Sequence, residues 1–179
     1  MQRTSLLLSE EMTIRLQSGR VLVVGVGGVG AYAAEMLVSA GVGRMTIIDS
    51  DSVALSNINR QLVALHSTVG LDKVDVLAKR LNDINPHLEL SARKCYLDVE
   101  GVDVLLQEGY DFVIDAIDTV APKVALLAAC MRQGIPVVSS MGAGARIDPS
   151  QIRYADIADT FHCGLARAVR TRLRKMGVK

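Results

Sequence analysis

Three observations in the sequence predict a doubly wound α/β fold, a mainly parallel sheet with helices on both faces. Short segments that are apolar throughout alternate with segments of helical spacing, as in sheets whose strands are covered on both sides. The first strand-to-helix junction is glycine-rich, "VGVGGVG" at 24–30. Half of the 179 residues are apolar, enough to fill the core of one domain.

Taken in order, "RVLVVGV" (20–26) reads as the first strand and "GVGAYAAEMLVSAG" (28–41) as its helix, closed by Gly41. "RMTIID" (44–49) is the second strand. In "VGLDKVDVLAKRLNDINP" (69–86), Val74, Leu77, Ala78, Leu81 and Ile84 recur at helical spacing and Pro86 ends the helix. A third strand comes next in "HLELSARKCYL" (87–97), then a short helix near 100–108 and a fourth strand, "YDFVIDAID" (110–118). A helix over 121–133 and a fifth strand, "IPVVSS" (135–140), complete the alternation. Residues 141–160, with their glycines and Pro149, break it and read as a loop with a short extended segment. From Gly164 the spacing is helical again, with Leu165, Val169, Leu173 and Met176 on one stripe. No strand comes after it to cover that stripe. The expectation is therefore a nucleotide-binding domain over 1–160 and a basic helix over 161–179 that begins a C-terminal part cut short.

Composition narrows the class. Cys95, Cys130 and Cys163 form no C-x-x-C pair, which argues against a disulfide framework or zinc site and for buried, reduced thiols in a cytoplasmic protein. The three leucines near the N-terminus are too few for a signal peptide. The apolar stretch 21–43 carries five glycines by residue 41 and the charged Glu35, so it reads as strand, turn and helix, and no membrane association is expected. The net charge of +1 hides a split: fourteen basic and nineteen acidic side chains through Asp159 leave −5, and six basic ones after it give +6. A polyanion is the expected partner of that tail, with Arg167, Arg170, Arg174 and Lys175 as contacts.

Gly25, Gly27 and Gly30 spell G-x-G-x-x-G, with Gly28 between them. In a Rossmann-like sheet such a loop lies beyond the carboxyl ends of the strands. Gly25 allows the tight turn, Gly27 and Gly28 let the backbone approach phosphate, and Gly30 lets the helix pack closely. Asp49 ends the second strand, where a carboxylate can hold ribose hydroxyls. A redox dinucleotide and ATP both fit this loop. The charged residues beyond it favour ATP: Asp51, Asn57, Asn59, Arg60 and Gln61 come just after the second strand, Lys73 opens the next helix, and Asp115 and Asp118 end the fourth strand. Arg60 and Lys73 can neutralise phosphate oxygens while Asp118 holds magnesium. A dehydrogenase would need a substrate domain, for which no residues remain.

The set "GVGGVG…IIDSD…SNINRQ…GLDKVD…DAID" resembles the family of ubiquitin-activating and molybdopterin- or thiamine-biosynthesis adenylating enzymes, over about residues 18–145. The resemblance implies binding of ATP and Mg2+ and attack of a carboxylate on the α-phosphate, giving an acyl-adenylate and pyrophosphate. Residue by residue, Gly25, Gly27, Gly28 and Gly30 match the phosphate loop and Asp49 the ribose-binding acid. Asn57, Arg60 and Lys73 match the phosphate-contacting set and Asp118 the magnesium-binding aspartate, while Asp51 matches an acid near the reacting centre. Catalysis is thereby expected from Asn57, Arg60, Lys73 and Asp118. "DAIDTVAPKVALLAAC", "GIPVVSSMGAGARIDPSQIRYADIADT" and "LARAVRTRLRK" resemble, more narrowly, the branch that cyclises threonylcarbamoyladenosine on tRNA with loss of water. That branch implies a tRNA substrate, a homodimer and a sulfur-transfer partner protein. Relatives also contribute an N-terminal arginine, often from the partner subunit; Arg3 is the early candidate here, at a spacing that departs from the pattern.

Two other readings share the nucleotide loop. An adenylyltransferase for a ubiquitin-like sulfur carrier would have a groove for a Gly-Gly tail and often a pair of C-x-x-C motifs, which the sequence lacks. Cys163, beside His162, reads equally as an acyl acceptor or a structural thiol. A non-catalytic nucleotide sensor would bind without releasing pyrophosphate and would not need Arg60, Lys73 and Asp118 together. The basic tail reads as a tRNA-backbone contact or as a solvated helix face, and it has no aromatic residue for base readout.

Overall fold

A computed structural model describes residues 4–178. Five parallel strands form one sheet in the order β3-β2-β1-β4-β5: β1 (Arg20–Val24), β2 (Arg44–Asp49), β3 (Glu89–Lys94), β4 (Phe112–Asp115) and β5 (Val137–Ser139). The order reverses between β1 and β4, the switch point at which such sheets bind ligands. Helices α2 (Gly30–Ala40) and α3 (Lys73–Ile84) cover one face, where Val21, Val23, Met45 and Ile47 pack on Ala31, Ala34, Val38, Val74 and Leu77. Helices α4 (Gly101–Leu106) and α5 (Val120–Gln133) cover the other, where Leu22, Val24, Ile48 and Val113 meet Leu105, Leu106, Leu126 and Ala129. Burial on both faces explains why β1 and β2 read as unbroken apolar runs.

Four differences from the expected elements have a plain physical cause. Helix α1 (Glu10–Ser18), capped by the Ser9 hydroxyl, precedes the first strand although no helix is expected there. It buries none of its residues, so it carries little apolar periodicity. The helix expected from 69 starts at Lys73, because Gly70 (φ +87°) turns the chain and Val53 and Gly70–Leu71 exchange backbone hydrogen bonds. The fourth strand stops at Asp115, not 118, since the Asp115 side chain turns inward and accepts from the Ile117 amide. The apolar stripe of α6 (Gly164–Lys175) is covered: Val169 and Leu173 pack on Val124, Leu127 and Ala128 of α5. Helix α5 is apolar on two sides, and the second side buries Val169 and Leu173.

The segment 141–160 holds two short 3-10 turns, Pro149–Gln151 and Ile157–Asp159. All three cysteines are free, but only Cys130 is buried, its thiol pushed up to about 11 by burial; Cys95 is exposed at the end of β3. Among the described residues no helix is long and apolar enough to cross a membrane.

Candidate nucleotide site

The carboxyl ends of β1, β2 and β4 and the first turns of α2 and α3 converge on the glycine loop. Gly25 has φ +87°, and a Cβ there would lie 2.7 Å from the Ala116 carbonyl oxygen. Gly30 opens α2 against Gly25 and Ala116, so close that a Cβ would collide with the Gly25 carbonyl. The loop and the β4–α5 connection therefore touch backbone to backbone, and that contact is what the first and last glycines permit. Gly27 and Gly28 face the other way. A Cβ at Gly28 would sit 3.4 Å from the Arg60 carbonyl oxygen, and one at Gly27 would sit 3.7 Å from Gln61 Nε2. The "NRQ" turn is thus the opposite wall.

The rim acids are held in place. Asp49 Oδ2 accepts from the Val26 amide at 2.7 Å and Oδ1 from the Asp51 amide at 2.8 Å, which ties β2 to the glycine loop. Each oxygen keeps a second lone pair for a ribose hydroxyl. Lys73, only 5% exposed, bonds Asp51 Oδ2 at 2.7 Å. Asp72 accepts from Ser52 and pairs with Lys94, and its carboxyl is held below the usual range by hydrogen bonds from Lys94 and Ser52. Buried Asn57 accepts from the Ala54 amide at 3.0 Å and so shapes the turn before Arg60. Arg60 is exposed and its Nη1 donates to the Ser56 carbonyl and to Asn59 Oδ1, both at 2.9 Å.

Asp115, fully buried, accepts from Lys123 Nζ at 2.8 Å, from the Ser139 hydroxyl at 2.6 Å and from the Ile117 amide at 3.0 Å. Burial pushes its carboxyl upward, against the pull of Lys123. Asp118 is exposed, two residues beyond the Ala116 wall. Of Asp49, Asp51, Asp72, Asp115 and Asp118, it alone makes no side-chain hydrogen bond or ion pair among the described residues.

These contacts place Gly25–Gly30, Asp49, Asp51, Asn57, Arg60, Lys73 and Asp118 around one end of the sheet. Arg167, Arg174 and Lys175 are exposed on α6, which packs on α5. Arg170 is half-buried, its Nη1 donating to the carbonyls of Ile157 and Thr160. Cys163 caps α6. Burial pushes its thiol up, but the Ala166, Gly142 and Leu165 amides and the Arg146 charge outweigh this and leave it below the usual value. Arg3 lies outside the described residues.

Two further side chains bear on the site: Gln61, which the sequence places beside Arg60 without a role, and Lys123, which sequence reasoning leaves out. Gln61 carries a buried Oε1 with no partner, beside the glycine loop; its place next to Arg60 was the available signal. Lys123 looks like a surface residue in sequence, and only its spacing from Asp115 hints otherwise. An orphaned acceptor and a cradle that Cβ atoms would fill fit a bound nucleotide. Among the described residues no cluster of three acids, histidines or cysteines forms a metal cage; magnesium held by one carboxylate and by phosphates needs none.

Comparisons with known proteins identify the family and the fold. The model of the ThiF family matches residues 1–178. The chain is 45% identical over 177 residues to the tRNA threonylcarbamoyladenosine dehydratase of Bacillus subtilis, covering 99% of this chain and 70% of that one. The E. coli tRNA N6-threonylcarbamoyladenosine dehydratase TcdA, solved with AMP, superposes with a TM-score of 0.96 at 42% identity, over 99% of this chain and 73% of that chain. The same enzyme in complex with ATP gives 0.94 at 42% identity, over 97% and 71% of the two chains. The chain belongs to the ThiF family of adenylating enzymes.

Proposed function

We propose that this chain carries out the ATP-dependent dehydration of threonylcarbamoyladenosine on tRNA. The observation that carries the proposal is the likeness to the E. coli enzyme in complex with ATP, joined to a rim that offers glycine amides, two cations and one uncommitted carboxylate.

In this reading ATP supplies the α-phosphorus that takes up the substrate carboxylate as pyrophosphate leaves. Ring closure at the activated carbonyl then expels AMP, so the nucleoside loses one water overall. The chain's own residues do the positioning. The amides of Gly27 and Gly28 and the α2 N-terminus receive phosphate oxygens, and Asp49 receives the ribose. Lys73, held by Asp51 at 2.7 Å, faces the phosphates. Arg60, exposed and only lightly tied, swings onto the phosphates as charge builds there. Asn57 fixes the turn that carries it. Asp118 would hold Mg2+, which neutralises phosphate charge when bound. Arg167, Arg174 and Lys175 would hold the tRNA backbone, with Arg170 at the inner edge of the same helix. A homodimer, a sulfur-transfer partner protein, a cytoplasmic location and a division at residue 160 complete the proposal; the family resemblance supports the first three.

The test is incubation with ATP, Mg2+ and tRNA bearing threonylcarbamoyladenosine, followed by digestion and mass analysis of the nucleosides. The expected result is loss of one water from that nucleoside, dependent on ATP and absent in Asp118→Ala. An untouched nucleoside, with ATP–pyrophosphate exchange stimulated by a Gly-Gly-tailed carrier protein, would overturn it in favour of a sulfur-carrier adenylyltransferase.

A further inference from the structure

Beneath the nucleotide rim lies an ion pair that the proposed chemistry does not use. Lys123 and Asp115 are both 0% exposed. The Lys123 ammonium donates to Asp115 Oδ2 and, at 2.8 Å, to the carbonyl of Ile117. Asp115 Oδ1 accepts from the amide of the same Ile117 at 3.0 Å. The residue immediately before Asp118 thus has both backbone polar groups bound to the two halves of one buried pair. Ser139 on β5 donates to Asp115 at 2.6 Å. The Ala116 amide donates to the Val24 carbonyl at 2.8 Å, and the Ala116 carbonyl walls the glycine loop. Asp118 has no side-chain partner among the described residues, so its position is inherited from this clamp.

We infer that Lys123 and Asp115 are positioning residues, which fix the Ala116–Asp118 turn so that the Asp118 carboxylate is aimed at the polyphosphate. Stability alone explains the pair poorly. Removing two charges from water costs more than their attraction commonly returns, and well-packed apolar side chains of similar volume are often as stable or more so. What apolar side chains cannot do is hold the amide and the carbonyl of one loop residue at once. The inference rests on the proposed role of Asp118 in the ATP site.

The test replaces the pair together, Asp115→Val with Lys123→Met, so that no charge is left buried alone. Hydrogen exchange is measured at the amide of Ile117 in the whole chain without nucleotide, with β1 and β2 amides as the internal standard. The expected result is exchange at Ile117 at least tenfold faster, with β1 and β2 changed less than twofold. Dehydration kinetics are then measured in a cycle with Asp118→Ala. The clamp variant is expected to lose at least tenfold in kcat with KM for ATP within threefold. Asp118→Ala is expected to cost the clamp variant at least tenfold less than it costs the natural chain, so that the combined variant is no slower than Asp118→Ala alone. Unchanged exchange at Ile117, or an undiminished cost of Asp118→Ala in the clamp variant, would overturn the inference. Should the double variant not fold, Ser139→Ala removes one donor to Asp115 and is judged on the same two readouts at smaller size. If the natural chain does not dehydrate the tRNA, the proposed function falls, and exchange at Ile117 alone decides whether the clamp exists.

Discussion

Gly25 and Gly70 share φ +87° but not their surroundings. A Cβ at Gly25 would stand 2.7 Å from the Ala116 oxygen and 2.9 Å from its carbonyl carbon, whereas a Cβ at Gly70 would meet nothing within 4 Å. Alanine at either site carries left-handed strain of about 1–2 kcal/mol, partly offset by about 0.4–1 kcal/mol from a less disordered unfolded chain. Gly70→Ala should therefore cost about 1 kcal/mol. Gly25→Ala adds an overpacking cost of about 1–3 kcal/mol, because two backbone segments must separate. The melting temperature should fall by about 2–4 °C for Gly70→Ala and about 4–16 °C for Gly25→Ala, at about 2–4 °C per kcal/mol in a chain of this size. ATP affinity, read by titration calorimetry, should drop more than tenfold for Gly25→Ala and less than twofold for Gly70→Ala. Equal melting shifts, or ATP affinity that survives Gly25→Ala, would refute the claim that the Ala116 wall makes this glycine necessary.

Arg60→Ala should lower turnover by about 10³–10⁵-fold, as removal of a phosphate-directed arginine does elsewhere, with an unchanged melting temperature, because Arg60 is exposed and bonds only Ser56 and Asn59. The basic residues of α6 should divide into two kinds. Arg174→Ala should reduce the slope of log affinity for tRNA against log salt by about one unit without a melting shift, whereas Arg170→Ala should lower the melting temperature by freeing the Ile157 and Thr160 carbonyls. Glu108 is held below its ordinary 4.5, first by hydrogen bonds from Arg93 and also by the charge of Arg20, against a smaller effect of burial. A carboxyl lowered on folding stabilises above its unfolded value and loses that contribution as pH falls through the folded one. Glu108→Gln should therefore cost about 1 kcal/mol at pH 7, and denaturant titrations should show the difference closing below about pH 4.5.

The fold was legible because its signals are local. Four strands of the sheet are largely apolar runs and the crossovers carry a helical period, while the edge strand β3, "ELSARK", has no buried residue and is placed by its position between two helices. Helix α1 escaped because "EEMTIRLQS" has no buried stripe; its legible signal was the cap, Ser9 followed by two acids. The charged rim was legible as residue types at strand ends, since the topology alone carries Asp49, Arg60, Lys73 and Asp118 to one side of the sheet. Their commitments were not. The Asp51–Lys73 pair spans 22 residues and the Asp49 bond to the glycine loop spans 23, and no periodicity encodes such contacts. Lys123 was least legible of all: in the first turns of a helix, a lysine is normally a solvent-facing residue.

Helix α5 shows why that lysine matters to more than its own turn. Lys123 points inward to Asp115, and its neighbour Val124 points outward to seat Val169 and Leu173 of α6. One rigid helix thus carries both the anchor of the Asp118 turn and the platform of the basic helix proposed to hold tRNA. Close-packed side chains transmit displacement rather than absorb it, so the platform and the turn keep a fixed distance. In the proposed reaction a carboxylate carried on tRNA must meet a phosphorus held in the glycine loop, and misplacement by about 1 Å can cost on the order of a hundredfold in rate. Joining the two surfaces through one helix meets that tolerance.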